Sequence, residues 1–243
     1  MKKITEFGPG MIGLASGGTL RTDDYIPSIM GLAKPPGTLF KKHTGLGPAN
    51  PFNAIGQEFM KRPALQWLFL TNDDNLYPPD TLFRLLSHDK DVVTGLYLSR
   101  IQPFEPVLFD KYDLEPTGKN GEPERWYQRR FIKDGESGLI PIVACGDGCL
   151  LIKREVLETI AYPWWEYGLT LADACDHDMY FSAKVGLAGF EMWCDLDAPV
   201  DHVNQMTVRP YRNPGTGVWS VHLVQETRAI QVPMPEKDMK VGQ

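Results

Sequence analysis

The sequence has no apolar run long enough to cross a membrane and no recognisable secretion signal. A spanning helix needs about 20 consecutive apolar residues, and no window of the 243 residues approaches that length. Residues 1–6 also lack the apolar segment that a signal peptide carries. We therefore expect a cytoplasmic protein without a membrane partner.

The sequence has few cysteines and a negative net charge. There are only four cysteines, with no close pair of metal-ligand type: Cys145, Cys149, Cys175 and Cys194. We interpret them as reduced core residues rather than disulfides or zinc ligands. The net charge of −6 argues against broad, non-specific binding of nucleic acid, although a local basic groove is compatible with it.

Apolar strands alternate with helices along most of the chain. We predict strands at residues 11–16, 67–70, 91–98, 139–144, 148–152 and 191–194, and helices at 24–32, 52–61, 80–86 and 176–185. Strands separated by helices of about ten residues pair in parallel through right-handed crossovers. The prediction is an α/β fold in which a mainly parallel central sheet is flanked by helices, with residues 1–243 forming a single domain.

Two segments do not follow this alternation. Residues 102–138 are rich in proline, glycine and charge, which is typical of a lid or a binding loop. Residues 204–243 contain the run RPYRNPG and are predicted to be an irregular tail that covers part of the surface.

The most informative motif is the run TNDDN at residues 71–75, directly after the apolar strand WLFL. In open α/β sheets, ligands bind at the carboxyl ends of the strands. Asp73 and Asp74 are hard oxygen ligands of the kind that hold Mg²⁺ or Mn²⁺ on a phosphate-bearing substrate. The alternative is an Asx-rich turn that caps the next helix.

Three further motifs have both a chemical and a structural interpretation. The glycines of CGDGC at residues 145–149 allow close approach to a ligand, but Asp-Gly also marks a hairpin turn. Asp176 is a candidate helix cap, and Asp178 is either a first-turn acid or a general base. His202 follows the last apolar stretch, where it is either a structural residue or a metal ligand beside carboxylates.

Taken in order, these motifs resemble those of one family. The runs WLFLTNDDNLYPPDTLFRLL, DVVTGLYLSR, GDGCLLIKREVLETI and DHDMYFSAKVGLAGFEMWCDLDAPVDHV are similar to those of glycosyltransferases with the GT-A fold. They are nearest the compact, family-two-like transferases common in bacteriophages, and for a phage protein the expected location is the host cytoplasm. The resemblance covers residues 11–203.

The resemblance implies specific roles for individual residues. Asp74 takes the place of the metal-binding aspartate, with His202 as a further metal ligand, whereas Asn72 stands where the family has its first aspartate. Asp178 takes the place of the base that deprotonates the acceptor, with Asp176 as the second choice. Residues implied in binding the nucleotide sugar are Ala15, Ser16, Gly17, Asn53, Asn72, Asp73, Gly146, Asp147 and Gly148. Arg100, at the end of DVVTGLYLSR, is either a ligand for phosphate or acceptor, or an exposed strand-end residue.

The sequence therefore predicts a Mn²⁺- or Mg²⁺-dependent glycosyltransferase that uses a nucleotide-diphosphate sugar, UDP-linked by preference. The resemblance makes a hydroxymethylated pyrimidine in DNA the leading acceptor, and a glycan, lipid or protein acceptor is the alternative. A loop that mixes basic and aromatic residues, as strand-binding surfaces do, supports DNA: Arg125, Trp126, Tyr127, Arg129, Arg130 and Lys133, with Arg209, Tyr211 and Arg212 adding to it. Two other classes stay open, a nucleotidyltransferase and a catalytically degenerate binding protein.

Overall fold

The computed structural model of the protein describes residues 3–16, 23–45, 49–100, 103–112, 127–166, 177–203, 207–225 and 228–233. After a short 3₁₀ helix at Ile4–Glu6, the chain enters a central sheet of seven strands. These strands are β1 (Met11–Ser16), β2 (Leu39–Thr44), β3 (Trp67–Asn72), β5 (Val92–Leu96), β8 (Leu139–Ile142), β10 (Cys149–Lys153) and β11 (Met192–Pro199).

The spatial order of the central sheet is β2-β1-β3-β10-β5-β11-β8. Pairing is parallel between β1 and β2, β1 and β3, and β5 and β11, whereas β10 and β8 run antiparallel to their neighbours. Five of the seven strands therefore point the same way, and their carboxyl ends lie along one edge of the sheet. The strands β1, β3 and β5 are apolar along most of their length because both faces of the sheet are covered.

Helices cover both faces of this sheet. They are α1 (Tyr25–Gly31), α2 (Ala49–Met60), α3 (Thr81–Ser87), α4 (Arg154–Thr159) and α5 (His177–Leu187). Side chains of α2, α4 and α5 pack in one apolar cluster with Leu68 and Leu70, whereas α1 and α3 pack in a second cluster with Phe69. Alternate residues of β3 thus face opposite layers, as strand geometry requires. Among the described residues, no helix combines the length and apolar character needed to span a bilayer.

A second, antiparallel sheet stands against the edge that carries the strand ends. It contains β4 (Asn75–Leu76), β12 (Asp201–Val203), β13 (Thr207–Arg212), β14 (Trp219–Gln225) and β15 (Arg228–Pro233), in the order β15-β14-β13-β12-β4. The prediction of an irregular tail after residue 204 is therefore wrong for the residues in these last three strands. Pro210 obscured the strand pattern, but it pairs with Val221 beyond the point where β12 ends. Its missing N–H therefore costs no ladder bond to β12.

The predicted loop at residues 102–138 also contains regular structure. β6 (Leu108–Tyr112) pairs with β7 (Tyr127–Arg129) and with β9 (Ala144–Cys145) in a small antiparallel sheet. Residues 113–126 of this segment lie outside the described residues. The CGDGC motif does not form a hairpin turn, which was one of its two interpretations. The strands on either side of it belong to different sheets, β9 to this small sheet and β10 to the central one.

Candidate active site

The ends of β1 and β3 meet at the centre of the carboxyl edge. Ala15 pairs with Asn72, so Ser16 and Asp73 leave the sheet side by side. The Ser16 hydroxyl donates a hydrogen bond of 2.7 Å to Oδ2 of Asp73, and both side chains are buried. Asp73 therefore ties the two strand ends together. Gly17, the next residue predicted to contact the nucleotide, lies outside the described residues.

Asp74 lies one residue further on and is surrounded by basic side chains. Its Oδ2 accepts a hydrogen bond from Nη1 of Arg100 and lies 3.6 Å from Nε2 of His202. The main-chain oxygen of Asp74 accepts a hydrogen bond of 2.7 Å from the Val203 amide. Pairing of β4 with β12 thus brings His202, 128 positions later in the chain, to the aspartate that the sequence predicts as a metal ligand.

A hydrogen bond selects the tautomer of the neutral His202 ring. Nδ1 lies 2.7 Å from the carbonyl oxygen of Leu98, which can only accept, so this nitrogen carries the proton. In the neutral ring, Nε2 then has a lone pair that faces Asp74. A ligating histidine usually donates its other N–H to a carbonyl or carboxylate in this way.

The pair Asp74 and His202 fits a Mn²⁺ or Mg²⁺ ion in its donor types, a carboxylate oxygen and an imidazole nitrogen. Within the described part of the chain, no group of three or more His, Cys, Asp or Glu residues could hold a metal by itself. A divalent ion at Asp74 would therefore need oxygens from a substrate diphosphate and from water, as is common for Mg²⁺. Asn72, at the end of β3, is neutral where the resemblance implies an aspartate. The site therefore has one negative charge fewer than the resemblance implies.

Two tyrosines hold the glycine turn between β9 and β10. The amide of Gly148 donates to the Tyr97 hydroxyl at 3.1 Å, and the Tyr77 hydroxyl donates to the Gly148 carbonyl. A Cβ atom at Gly146 would lie 2.1 Å from the Tyr97 hydroxyl oxygen, and one at Gly148 would lie 2.6 Å from Oδ1 of Asn75. Protein side chains, rather than a ligand, therefore account for both glycines. Tyr97 also contacts His202 edge-on, with ring centroids 5.7 Å apart, so the turn borders the Asp74 site.

The turn directs Asp147 into the protein. Among the described residues, no group meets its two buried carboxyl oxygens with normal hydrogen-bond geometry, and Oδ2 lies 3.4 Å from Nε2 of His177. Burial, together with the neighbouring charge of Asp178, raises the pKa of Asp147 well above its usual value. Burial also lowers the pKa of His177 to about 4, so its ring is neutral at pH 7 and does not compensate a charge on Asp147.

This environment predicts a pH-dependent effect of Asp147→Asn on stability. Native Asp147 binds its proton more tightly than unfolded Asp147 does, so the parent loses stability as pH rises from about 4 towards the raised native pKa. The variant lacks this loss. In urea unfolding between pH 4 and pH 8, we expect the free energy of unfolding of the variant minus that of the parent to increase with pH. Parallel curves would mean that Asp147 is ionised in the native protein, since His177 titrates in both.

Asp178 lies on the same side of the turn, at the start of α5. Its Oδ1 accepts a hydrogen bond of 2.8 Å from the Met179 amide, and the side chain is half-buried. The charges of Asp178 and Asp147 both act on the buried Tyr97 hydroxyl and, after burial itself, help to raise its pKa. The predicted base therefore acts electrostatically on Tyr97, the residue whose ring contacts His202. Asp176, the second choice, lies outside the described residues.

Asn53 has a structural role rather than the predicted contact with the nucleotide. Its Nδ2 donates to the carbonyls of Ala49 and Trp165, at 3.0 and 2.5 Å. Its Oδ1 accepts from the amides of Trp164 and Trp165, at 3.0 and 3.2 Å. The side-chain amide is buried, and all of its donors and acceptors are occupied by main-chain groups. It therefore binds the segment that contains Trp164 and Trp165 to α2.

We expect Asn53→Leu to lower the free energy of unfolding by about 2–4 kcal/mol, since each buried N–H left without an acceptor costs about 1–3 kcal/mol. Urea unfolding measures this, with Gln57→Leu at an exposed position of the same helix as the control. A change below about 1 kcal/mol combined with lost nucleotide binding would return Asn53 to the donor site.

The arginines predicted to contact DNA are engaged within the protein. Arg129 pairs with Glu105 at 2.8 Å, and Arg130 pairs with Asp110 at 3.3 Å and with Glu136. Further along the chain, Arg209 makes two contacts of 2.7 and 2.6 Å with Asp201. These pairs neutralise the charge that phosphate binding would need. Arg125 and Trp126 lie outside the described residues.

Sequence reasoning missed Tyr77 and Tyr97 as parts of this region. Both tyrosines lie in or beside apolar runs. Nothing local to them indicates that their hydroxyls reach a turn 51 or more residues away.

No protein-family model and no curated protein matches the chain. Solved structures do resemble it in fold. A197 from STIV is 13% identical with a TM-score of 0.53, over 96% of this chain and 98% of that one. GalNAc-T7, solved with UDP, GalNAc and Mn²⁺, is 11% identical with a TM-score of 0.50, over 82% of this chain and 44% of that one. The inositol-1-phosphate CTP transferase from T. maritima is 16% identical over 78% of this chain and 71% of that one, but its TM-score of 0.35 is too low to carry an argument.

At these identities the likeness is one of fold. It confirms the predicted fold class, a mixed α/β protein with a mainly parallel central sheet flanked by helices, of the kind found in a GT-A glycosyltransferase. The chain spans less than half of GalNAc-T7.

Proposed function

We propose that the protein is a glycosyltransferase that moves a sugar from a nucleotide-diphosphate sugar, UDP-linked by preference, to an acceptor hydroxyl. The observation that carries this proposal is the pair Asp74 and His202 at the carboxyl edge of a GT-A-like sheet. Nε2 of His202 lies 3.6 Å from a buried carboxylate oxygen of Asp74, and the Leu98 carbonyl, next to Nδ1, holds the ring in that orientation. Mn²⁺ or Mg²⁺ is the proposed ion at this pair.

The nucleotide side of the site is formed by the ends of β1 and β3. Ala15, Ser16, Asn72 and Asp73 lie there, and the bond from Ser16 to Asp73 fixes their relative positions. A divalent ion bound at Asp74 would offset the negative charge that grows on the departing nucleoside diphosphate.

Asp178 is the proposed general base. An acceptor hydroxyl has a high pKa, so a carboxylate within hydrogen-bond reach must take its proton as the new bond forms. The helix start holds Asp178 in place through the Met179 amide, which donates a hydrogen bond to Oδ1.

The acceptor is defined by chemistry only, as a molecule that presents a hydroxyl to Asp178. Hydroxymethylated DNA was the leading prediction because of the family resemblance, and the basic, aromatic loop supported it. Arg129 and Arg130 of that loop are paired with acidic side chains, which weakens the support from the loop.

Incubation of the protein with single nucleotide sugars and Mn²⁺, without acceptor, tests the proposal. Many transferases slowly hydrolyse their donor, so we expect free UDP and free sugar from at least one UDP-sugar. Exchange of labelled pyrophosphate into the nucleotide sugar would instead indicate a nucleotidyltransferase. Binding without either reaction would indicate a degenerate binding protein.

A further inference from the structure

Arg100 holds the oxygen atom that a metal would need. Its guanidinium contacts Oδ2 of Asp74, the same oxygen that lies 3.6 Å from Nε2 of His202. The Asp74 side chain is 8% exposed and the Arg100 side chain 28% exposed, so water screens this pair only in part. A divalent ion bound at this carboxylate would lie next to the guanidinium, and the two positive charges would repel each other.

A carboxylate that is buried and ionised is costly without a counter-charge. Leaving Asp74 ionised and unpaired would cost several kcal/mol, and Asp73 adds a second carboxylate next to it. In the protein without ligands, Arg100 provides this counter-charge. A metal that binds alone must therefore either displace Arg100 from Asp74 or bind against its positive charge, and both weaken its affinity.

A nucleoside diphosphate changes this balance. Its phosphate oxygens offer the guanidinium the two-pronged acceptor that it binds best, and they offer the metal additional ligands. Arg100 lies beyond the end of β5, and we expect its side chain to turn from Asp74 towards a diphosphate bound at the strand ends.

We propose that Arg100 competes with the divalent ion for Asp74 and passes to the diphosphate when the nucleotide binds, so that metal and nucleotide bind cooperatively. The proposal rests on the proposed function of the site. By linkage, the factor by which UDP tightens Mn²⁺ binding equals the factor by which Mn²⁺ tightens UDP binding.

The test is a titration of the full-length protein with Mn²⁺, following free Mn²⁺ by electron paramagnetic resonance, with and without saturating UDP. In the parent, we expect UDP to tighten Mn²⁺ binding by a factor within the usual range for coupled sites, roughly 5–150-fold. Arg100→Gln removes the competitor. It should bind Mn²⁺ alone on the order of tenfold more tightly than the parent, and UDP should then add much less.

Two further variants serve as controls for the effect of charge. Arg100→Lys retains a positive charge near Asp74, so its affinity for Mn²⁺ alone should stay near that of the parent. Arg84→Gln removes the same charge from a second half-buried pair, Arg84 with Asp195 at 3.3 Å, and should leave Mn²⁺ binding unchanged.

Three outcomes would overturn the proposal. Arg100→Gln that binds Mn²⁺ alone no more tightly than the parent would show that Arg100 does not compete for Asp74. An equal gain in Arg84→Gln would show a general charge effect. A parent that binds neither UDP nor Mn²⁺ would overturn the proposed function, and this inference with it.

Discussion

Asp74→Ala is expected to abolish hydrolysis of the nucleotide sugar and to weaken UDP binding in Mn²⁺ by more than about 100-fold, since loss of even an outer-shell partner costs a metal site roughly 10–100-fold. The fold should survive, because the contact of Asp74 with Val203 uses the main-chain oxygen, which alanine keeps. The measurements are the UDP dissociation constant in Mn²⁺ and the rate of UDP release, each for variant and parent.

Asp201→Ala is the matched control for this variant. Asp201 lies one residue before His202 on β12, so the two side chains point to opposite faces of the strand, and Asp201 pairs with Arg209. We expect it to retain UDP binding and hydrolysis. Unchanged UDP affinity in Asp74→Ala would contradict the metal assignment and would leave Asp74 as a turn residue.

Asp178→Asn is expected to lower the rate of sugar transfer, or of donor hydrolysis with water in place of the acceptor, by about 10²–10⁴-fold, the range for loss of a general base. Asparagine keeps the oxygen that accepts from Met179, so the start of α5 should be intact. UDP affinity should not change, because the amide differs from the carboxylate mainly in its inability to take a proton. Steady-state rates at saturating donor, together with UDP titrations, measure both effects.

The exposed Asp197→Asn provides a control that removes the same charge from a position on β11. If Asp178→Asn loses UDP binding as well as activity, Asp178 belongs to the donor site. If it stays nearly active, the base is a different group, and the neighbouring Asp176 would be the next one to change.

The central part of the fold followed from the sequence because burial on both faces makes its strands continuous apolar runs. The strand that begins at Trp67 and the helices around Tyr25 and Phe52 were predicted to within a few residues of their observed positions. The missed elements lack this signal. β2 alternates half-buried and exposed residues, and β13 contains a proline, so both resemble loops in sequence.

The candidate site was predictable where chemistry depends on residue type at a strand end, as for Asp74 and His202. Their proximity depends on pairing of β4 with β12 across more than 120 positions, which no local pattern encodes. Asn53 was misinterpreted because an amide early in a helix gives the same pattern whether it binds a nucleotide or the main chain of Trp164 and Trp165. Arg129 and Arg130 resembled a phosphate-binding surface because their acidic partners, Glu105 and Asp110, lie far before them in the chain. No local pattern shows that these residues pair.

The most direct test of a cation-assisted nucleotide-sugar site is calorimetric titration of the parent protein with UDP, once in Mn²⁺ and once in EDTA. We predict measurable binding in Mn²⁺ that is lost in EDTA and is restored when excess Mn²⁺ is added back. Equal affinity in both buffers would contradict a divalent ion at Asp74 and His202, and absence of binding in either buffer would contradict the nucleotide site itself.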